Sequence, residues 1–157
     1  GDHRVLHKEY RRQRQMCIRD RYGSVVFKGE AGQTQLKASR VFSVGAGGLG
    51  SPALLYLAAA GVGHLTIIDD DNIERSNLQR QILHADQDVG ESKAESAMIR
   101  LKQLNPSITI EVHSARLTSE NALNLMGGHD IVLDGTDNIP TRYLVGDACE
   151  ILGSPWV

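Results

Sequence analysis

The stretch Arg40-Val-Phe-Ser-Val-Gly-Ala-Gly-Gly-Leu-Gly50, leading straight into Ser51-Pro-Ala-Leu-Leu-Tyr-Leu-Ala-Ala-Ala60, constrains this chain more than any other. Residues 41–44 are a short apolar run of strand type, and Gly45, Gly47 and Gly50 complete a G-x-G-x-x-G spacing in which Gly48 adds a fourth glycine. The segment that follows has helix composition, with Pro52 in its first turn, where a missing N–H costs nothing. A strand, a glycine turn and a helix in that order bring bare backbone up to a ligand and aim the positive end of a helix dipole at it. The natural guest is a phosphate group, and the bland alternative is a tight strand–helix connection with no ligand.

Around that unit the bulk numbers are ordinary. A chain of 157 residues, 41% hydrophobic and 23% charged, is long enough for one domain with a substantial core. Its net charge of −2 hides an asymmetry: residues 1–40 hold ten Lys/Arg against four Asp/Glu, and residues 41–157 hold seven against fifteen. A basic arm can bind nucleic acid, but no aromatic platform or nucleic-acid motif accompanies it, which argues against that use. The two cysteines, Cys17 and Cys149, form no C-x-x-C pair, so no zinc ligands are written here, and their scarcity suits the cytoplasm. The six histidines show no metal-ligand spacing and read as surface or edge residues. No apolar run approaches the roughly 18 residues a membrane span needs.

Along the chain, residues 1–32 form a basic segment with little readable structure; Val25-Val26-Phe27 fits a strand or a loop. From residue 33 to 157 the alternation is regular. Gly61-Val-Gly63 ends the first helix, and His64-Leu-Thr-Ile-Ile-Asp69 is a second strand closed by an acid. Residues 70–88 are polar and irregular; residues 92–104 have helical periodicity, stopped by Asn105-Pro106. A third strand covers 108–112, a helix capped by Thr118 runs to Met126, and Ile131-Val-Leu133 is a buried fourth strand. A last helix opens at Pro140 and ends near Leu152, and a fifth strand begins at Trp156-Val157. This predicts an α/β fold: a Rossmann-like, doubly wound, mainly parallel sheet with helices on both faces, read as truncated after the start of the fifth strand. Ligands of such sheets sit at the carboxyl ends of the strands, which here carry the glycines, residues 69–71 and residues 134–138.

Asp69, nineteen residues after Gly50, is placed to accept hydrogen bonds from a ribose. That much serves an NAD-dependent dehydrogenase as well as an ATP enzyme. The segment from Asp69 to Gln81, which ends in Ser76-Asn-Leu-Gln-Arg-Gln81, packs amides and two arginines, Arg75 and Arg80, directly behind the ribose site; Asp69 would repel a 2′-phosphate there, so the arginines need another anion. Taken with residues 45–50, Val89-Gly90, Lys93 and Asp134-Gly-Thr-Asp-Asn138, this segment resembles the MoeB/ThiF/HesA family, relatives of the ubiquitin-activating enzymes, over about residues 33–157.

The resemblance implies an adenylyltransferase that uses ATP and Mg2+ to adenylate the C-terminal Gly-Gly tail of a ubiquitin-like sulfur-carrier protein, for molybdopterin or thiamine type sulfur transfer, as a cytoplasmic homodimer. It implies that Gly45, Gly47, Gly48 and Gly50 cradle phosphates, that Asp69 holds the ribose, and that Ser76, Asn77, Gln79, Arg80, Gln81, Lys93, Asp137 and Asn138 complete the nucleotide site. Arg80, Lys93 and Asp137 are the implied catalytic residues, Asp137 also as the magnesium ligand. Three bland readings stay open: Lys93 as plain surface, Asp137 as a helix N-cap and Cys149 as a small buried residue.

The family's basic N-terminal motif Arg-Tyr-x-Arg-Gln is not matched by Arg21-Tyr22-Gly23-Ser24, nor by Arg14-Gln15. The family's zinc cysteines, which belong to its C-terminal half, are absent. A dehydrogenase domain and a catalytically incompetent nucleotide-binding or dimerisation fragment are the rival expectations.

Overall fold

The structure is a computed structural model and describes residues 29–157. The readings made for residues 1–28, including Val25-Val26-Phe27 and the arginines Arg14 and Arg21, lie outside the described residues.

Four strands, β1 (Arg40–Val44), β2 (His64–Ile68), β3 (Thr109–His113) and β4 (Ile131–Asp134), form one parallel sheet in the order β3-β2-β1-β4. Helices α1 (Gly29–Ala38), α2 (Gly50–Ala60), α3 (Lys93–Leu104), α4 (Ala122–Met126) and α5 (Ile139–Leu152) alternate with them. The expected doubly wound architecture is what the chain adopts. Trp156 bridges Val132 in parallel, so a fifth segment continues the sheet beyond β4.

The two faces follow from the period of two along each strand. Val41, Leu65 and Ile67 point to one side and pack with Leu54 and Ala58 of α2 and Ala97 and Leu101 of α3. Phe42, Val44, Ile68 and Val132 point to the other and meet Ala122 and Met126 of α4 and Val145, Ala148 and Cys149 of α5. Each large aliphatic side chain so buried contributes about 1.5–3 kcal/mol relative to exposure. Cys149 is enclosed in the second core, in keeping with the small-buried-residue reading, and burial raises its thiol pKa.

Three local details differ from the sequence reading. Helix α1 was not foreseen; its only large apolar residue is Leu36, and it is tied down by backbone, Gly63 N–H donating to the Leu36 carbonyl at 2.9 Å. Strand β3 is shifted one residue toward the C-terminus. Helix α4 starts at Ala122 rather than after Thr118, because the Asn121 side chain turns back to accept from Thr118 N–H at 2.9 Å and to donate to the Arg116 carbonyl. Among the described residues no helix is long and apolar enough to cross a membrane.

Candidate functional site

The turn after β1 is assembled backbone against backbone. Gly45 has φ +95°, a conformation that disfavours any side chain, and its N–H donates to the Ile68 carbonyl at 2.8 Å. A Cβ on Gly50 would stand 2.2 Å from the Gly45 carbonyl oxygen, and one on Gly135 about as close to three backbone atoms of β1 and the turn as van der Waals contact forbids, 3.1–3.3 Å. Gly50 therefore serves helix-to-turn packing and is not on the cleft wall, whereas Gly45, Gly47 and Gly48 are. The Ala46 N–H is held by Asp69 Oδ2 at 2.8 Å; its carbonyl accepts from Ser51 Oγ and from His84 Nε2, both at 3.1 Å.

Asp69 sits at the end of β2, mostly buried, with Oδ1 accepting from Asp71 N–H at 2.9 Å. Burial raises its pKa, opposed by the Ala46 and Asp71 amides and by the Lys93 charge. Lys93 opens α3 just after the Ser92 N-cap, and its backbone N–H donates to the Asp71 carbonyl. This places its ammonium against Asp71 Oδ2 at 2.7 Å, with the lysine side chain 8% exposed and the aspartate 66%. Lys93 is therefore an interior cation and not the surface residue that its position near a helix start suggests. Asp71 is its partner.

Between β2 and α3 the chain makes two short 3-10 turns, Arg75–Asn77 and Asp86–Asp88. The Asn77 carbonyl accepts from the amides of both Arg80 and Gln81, and this fold-back lays the Arg80 stem across Gly48, its Cδ 3.5 Å from where a Cβ would be. The Arg80 guanidinium pairs with no carboxylate of the described residues. Gln81 is 3% exposed, lines the cleft, and leaves its Oε1 without a partner among the described residues. A buried amide oxygen without a donor is costly, so the cavity favours an occupant that supplies one. Ser76 Oγ donates to the Glu74 carboxylate at 3.1 Å; Ser76 and Gln79 are exposed and do not line the cleft.

At the end of β4, Asp134 Oδ1 accepts from both the amide and the hydroxyl of Thr136, and Arg142 clasps the Thr136 carbonyl through Nε and Nη2. The loop so braced presents Asp137 at the cleft with its carboxylate exposed. Asn138, not Asp137, caps α5, its side chain accepting from Thr141 N–H at 3.3 Å. This removes the N-cap explanation for Asp137 and gives Asn138 a structural bond while it also borders the cleft.

These elements enclose a cleft of about 730 Å³, which collects Gly45, Gly47, Gly48, Asp69, Asn77, Arg80, Gln81, Lys93, Asp137 and Asn138. Sequence reasoning missed Arg116 and Leu117, from the loop after β3, although the strand-end rule that located the other loops applies to it. It also placed His84 at the surface, whereas the imidazole is buried between the glycine turn and α3. Chemically the cleft brings together backbone amides and a guanidinium without partners among the described residues, an interior ammonium held by Asp71, and the carboxylates of Asp69 and Asp137. That is a receptor for a polyanion carried on a hydroxylated group, with oxygen ligands available for a hard cation.

The ThiF family model matches residues 20–157. The SAMP-activating enzyme E1 of Haloferax volcanii is 50% identical over 141 residues, covering 88% of this chain and 52% of that protein. The sulfur carrier protein adenylyltransferase of Thermus thermophilus is 53% identical over 129 residues, covering 82% and 48%. Among solved structures, the E. coli tRNA N6-threonylcarbamoyladenosine dehydratase TcdA in complex with ATP superposes with a TM-score of 0.83 at 29% identity, covering 88% of this chain and 57% of that one. The chain thus spans about half the length of these relatives.

Proposed function

Because the chain belongs to the ThiF family, we propose that it is the nucleotide-binding part of an adenylyltransferase that uses ATP and Mg2+ to activate the C-terminal glycine of a ubiquitin-like sulfur-carrier protein. The observation that carries this reading is the meeting, in one cleft, of the glycine turn, Asp69, the unpaired Arg80 guanidinium, Lys93 and Asp137. The similarity to a SAMP-activating enzyme and to a sulfur carrier protein adenylyltransferase supports the same reaction and the same kind of partner. Molybdopterin or thiamine type sulfur transfer, a homodimer and a cytoplasmic location belong to the proposal as well.

In this reaction a carboxylate oxygen of the carrier's terminal glycine forms a bond to the α-phosphorus while the bridging α–β P–O bond breaks, and pyrophosphate leaves with the electron pair. The attacking carboxylate is already ionised, so no general base is required; the obstacle is repulsion between two anions. Asp69 positions the ribose, the amides of the turn hold phosphate oxygens, and Arg80 offers a two-pronged clamp to the departing pyrophosphate. Lys93, a compact charge with three donors, stays on Asp71 and extends a second hydrogen bond to the α-phosphoryl group, which stabilises the charge that builds there. Mg2+ would be held by Asp137, an exposed oxygen donor of the kind this ion takes, and would supply positive charge that offsets the repulsion between the two anions.

The test is ATP–pyrophosphate exchange by the full-length parent. Label from pyrophosphate should enter ATP only when both Mg2+ and a carrier ending in glycine are present. Calorimetry that found tight NAD binding and no ATP binding would replace this reading with the dehydrogenase one; Mg-ATP binding without exchange would leave the chain as a nucleotide-binding scaffold.

A further inference from the structure

The reaction proposed above leaves one buried titratable side chain at the site without a task. His84 is 6% exposed and lies in the segment that also carries Arg80 and Gln81. Its Nε2 is 3.1 Å from the Ala46 carbonyl and its Nδ1 is 3.0 Å from Ser96 Oγ on α3. A carbonyl can only accept, so Nε2 carries the proton; the Ser96 hydroxyl beside Nδ1 also reaches Asp88 Oδ2, at 3.4 Å. Burial keeps the ring on the neutral side by lowering its pKa. His84 thereby joins three elements that carry site residues: the glycine turn, the segment behind β2 and the start of α3.

The consequence lies in one peptide plane. In a trans peptide the C=O of one residue and the N–H of the next point in opposite directions, and no cis bond occurs among the described residues. The Ala46 carbonyl is drawn into the interior by His84 and Ser51, which turns the Gly47 N–H the other way. Gly47 borders the cleft, and its N–H donates to no atom of the described residues. The preceding peptide is held as well, through Ala46 N–H on Asp69 and Ser43 Oγ on the Gly45 carbonyl at 3.1 Å.

We propose that His84 is a positioning residue for phosphate binding: by holding the Ala46 carbonyl it fixes the Gly47 amide as a donor to the phosphates of the nucleotide. This rests on the ATP reading. It assigns a role to a residue that does not itself touch the ligand.

The test compares ATP with adenosine, which lacks phosphates, by NMR titration of the full chain. His84→Leu removes the donor at similar size; His84→Gln places an amide nitrogen close to the position of Nε2. The expected result is a loss of ATP affinity of about tenfold in His84→Leu, adenosine affinity within twofold of the original, and recovery of ATP affinity to within threefold in His84→Gln; one decade corresponds to about 1.4 kcal/mol, the scale of one hydrogen bond. Equal losses for ATP and adenosine in His84→Leu would mean general support of the fold and would overturn the proposal, as would unchanged ATP affinity. Should His84→Leu not fold, His84→Gln decides alone: ATP affinity within threefold sustains the role, and a tenfold loss at unchanged adenosine affinity overturns the claim that the Nε2 donor is what counts. If the original chain binds no ATP, the nucleotide reading itself fails and this one with it, which separates the two.

Discussion

The floor and the rim of the cleft are built on opposite principles. On the floor, the turn from Gly45 to Gly50 has the carbonyls of Gly45, Ala46 and Gly47 and the amides of Gly45 and Ala46 tied to Ser43, Ile68, Asp69, Ser51 and His84, and Gly135 fits tightly against it, a Cβ there meeting backbone at 3.1–3.3 Å. On the rim, Arg80 and Asp137 stand exposed, held only through the stems and backbones that present them. The floor is therefore a product of folding and costs stability when altered, while the rim is a set of charges waiting for a counter-charge and should be nearly silent in stability. Positions that matter for binding and positions that matter for folding are neighbours here and yet separable.

The largest expected effect breaks the floor. Gly50→Ala would drive a methyl group into the Gly45 carbonyl, 2.2 Å away, and should cost more than about 3 kcal/mol, read as a drop in the urea midpoint. Gly48→Ala, two residues earlier, meets only the Arg80 side chain at 3.5 Å and should change stability by less than about 1 kcal/mol. Similar midpoints for the two variants would erase the distinction. Next comes the rim: Arg80→Ala should leave the urea midpoint within about 0.5 kcal/mol and reduce exchange by the full-length parent about a hundredfold. An Arg80→Ala parent exchanging at the normal rate would remove the arginine from the reaction.

The smallest effect is in pH. His84, packed beneath the turn, and His129 and His64, on the sheet face near Thr66, all have pKa values lowered, first of all by burial. A histidine whose folded pKa lies below its unfolded value of about 6.5 binds protons preferentially when unfolded, so stability is fully present above that pH and declines as pH falls through it. Urea midpoints measured at pH 7.5 and 5.5 should show the decline, and Thr66→Val, which removes the hydroxyl bonded to His129 Nε2 at 2.8 Å, should alter its slope.

What the sequence disclosed and what it hid divide along similar lines. The glycine turn, the acid closing β2 and the order of strands and helices are local patterns with fixed spacing, and each lies where its pattern implied, whereas the burial of Lys93 against Asp71 goes against its position at a helix start. Helix α1 escaped because Gly29-Glu-Ala-Gly-Gln-Thr has no apolar period; it is held by contacts with Ala60 and Gly63 far along the chain. Ser76 and Gln79 belong to the motif string of Asn77, Arg80 and Gln81, but a string cannot say which of its side chains line the cleft. His84 was invisible for the opposite reason. Its partners are 12 and 38 residues away, and nothing near it in sequence marks a buried imidazole.

The peptide plane between Ala46 and Gly47 also divides the turn in the language of hydrogen exchange. The Ala46 amide is buried on a carboxylate, whereas Gly47, Gly48 and Leu49 line the cleft and their amides have no acceptor among the described residues. Solvent deuterium should thus see a closed site and an open one on adjacent residues, and a ligand that binds there through phosphate would move that boundary by three amides without any change in the fold.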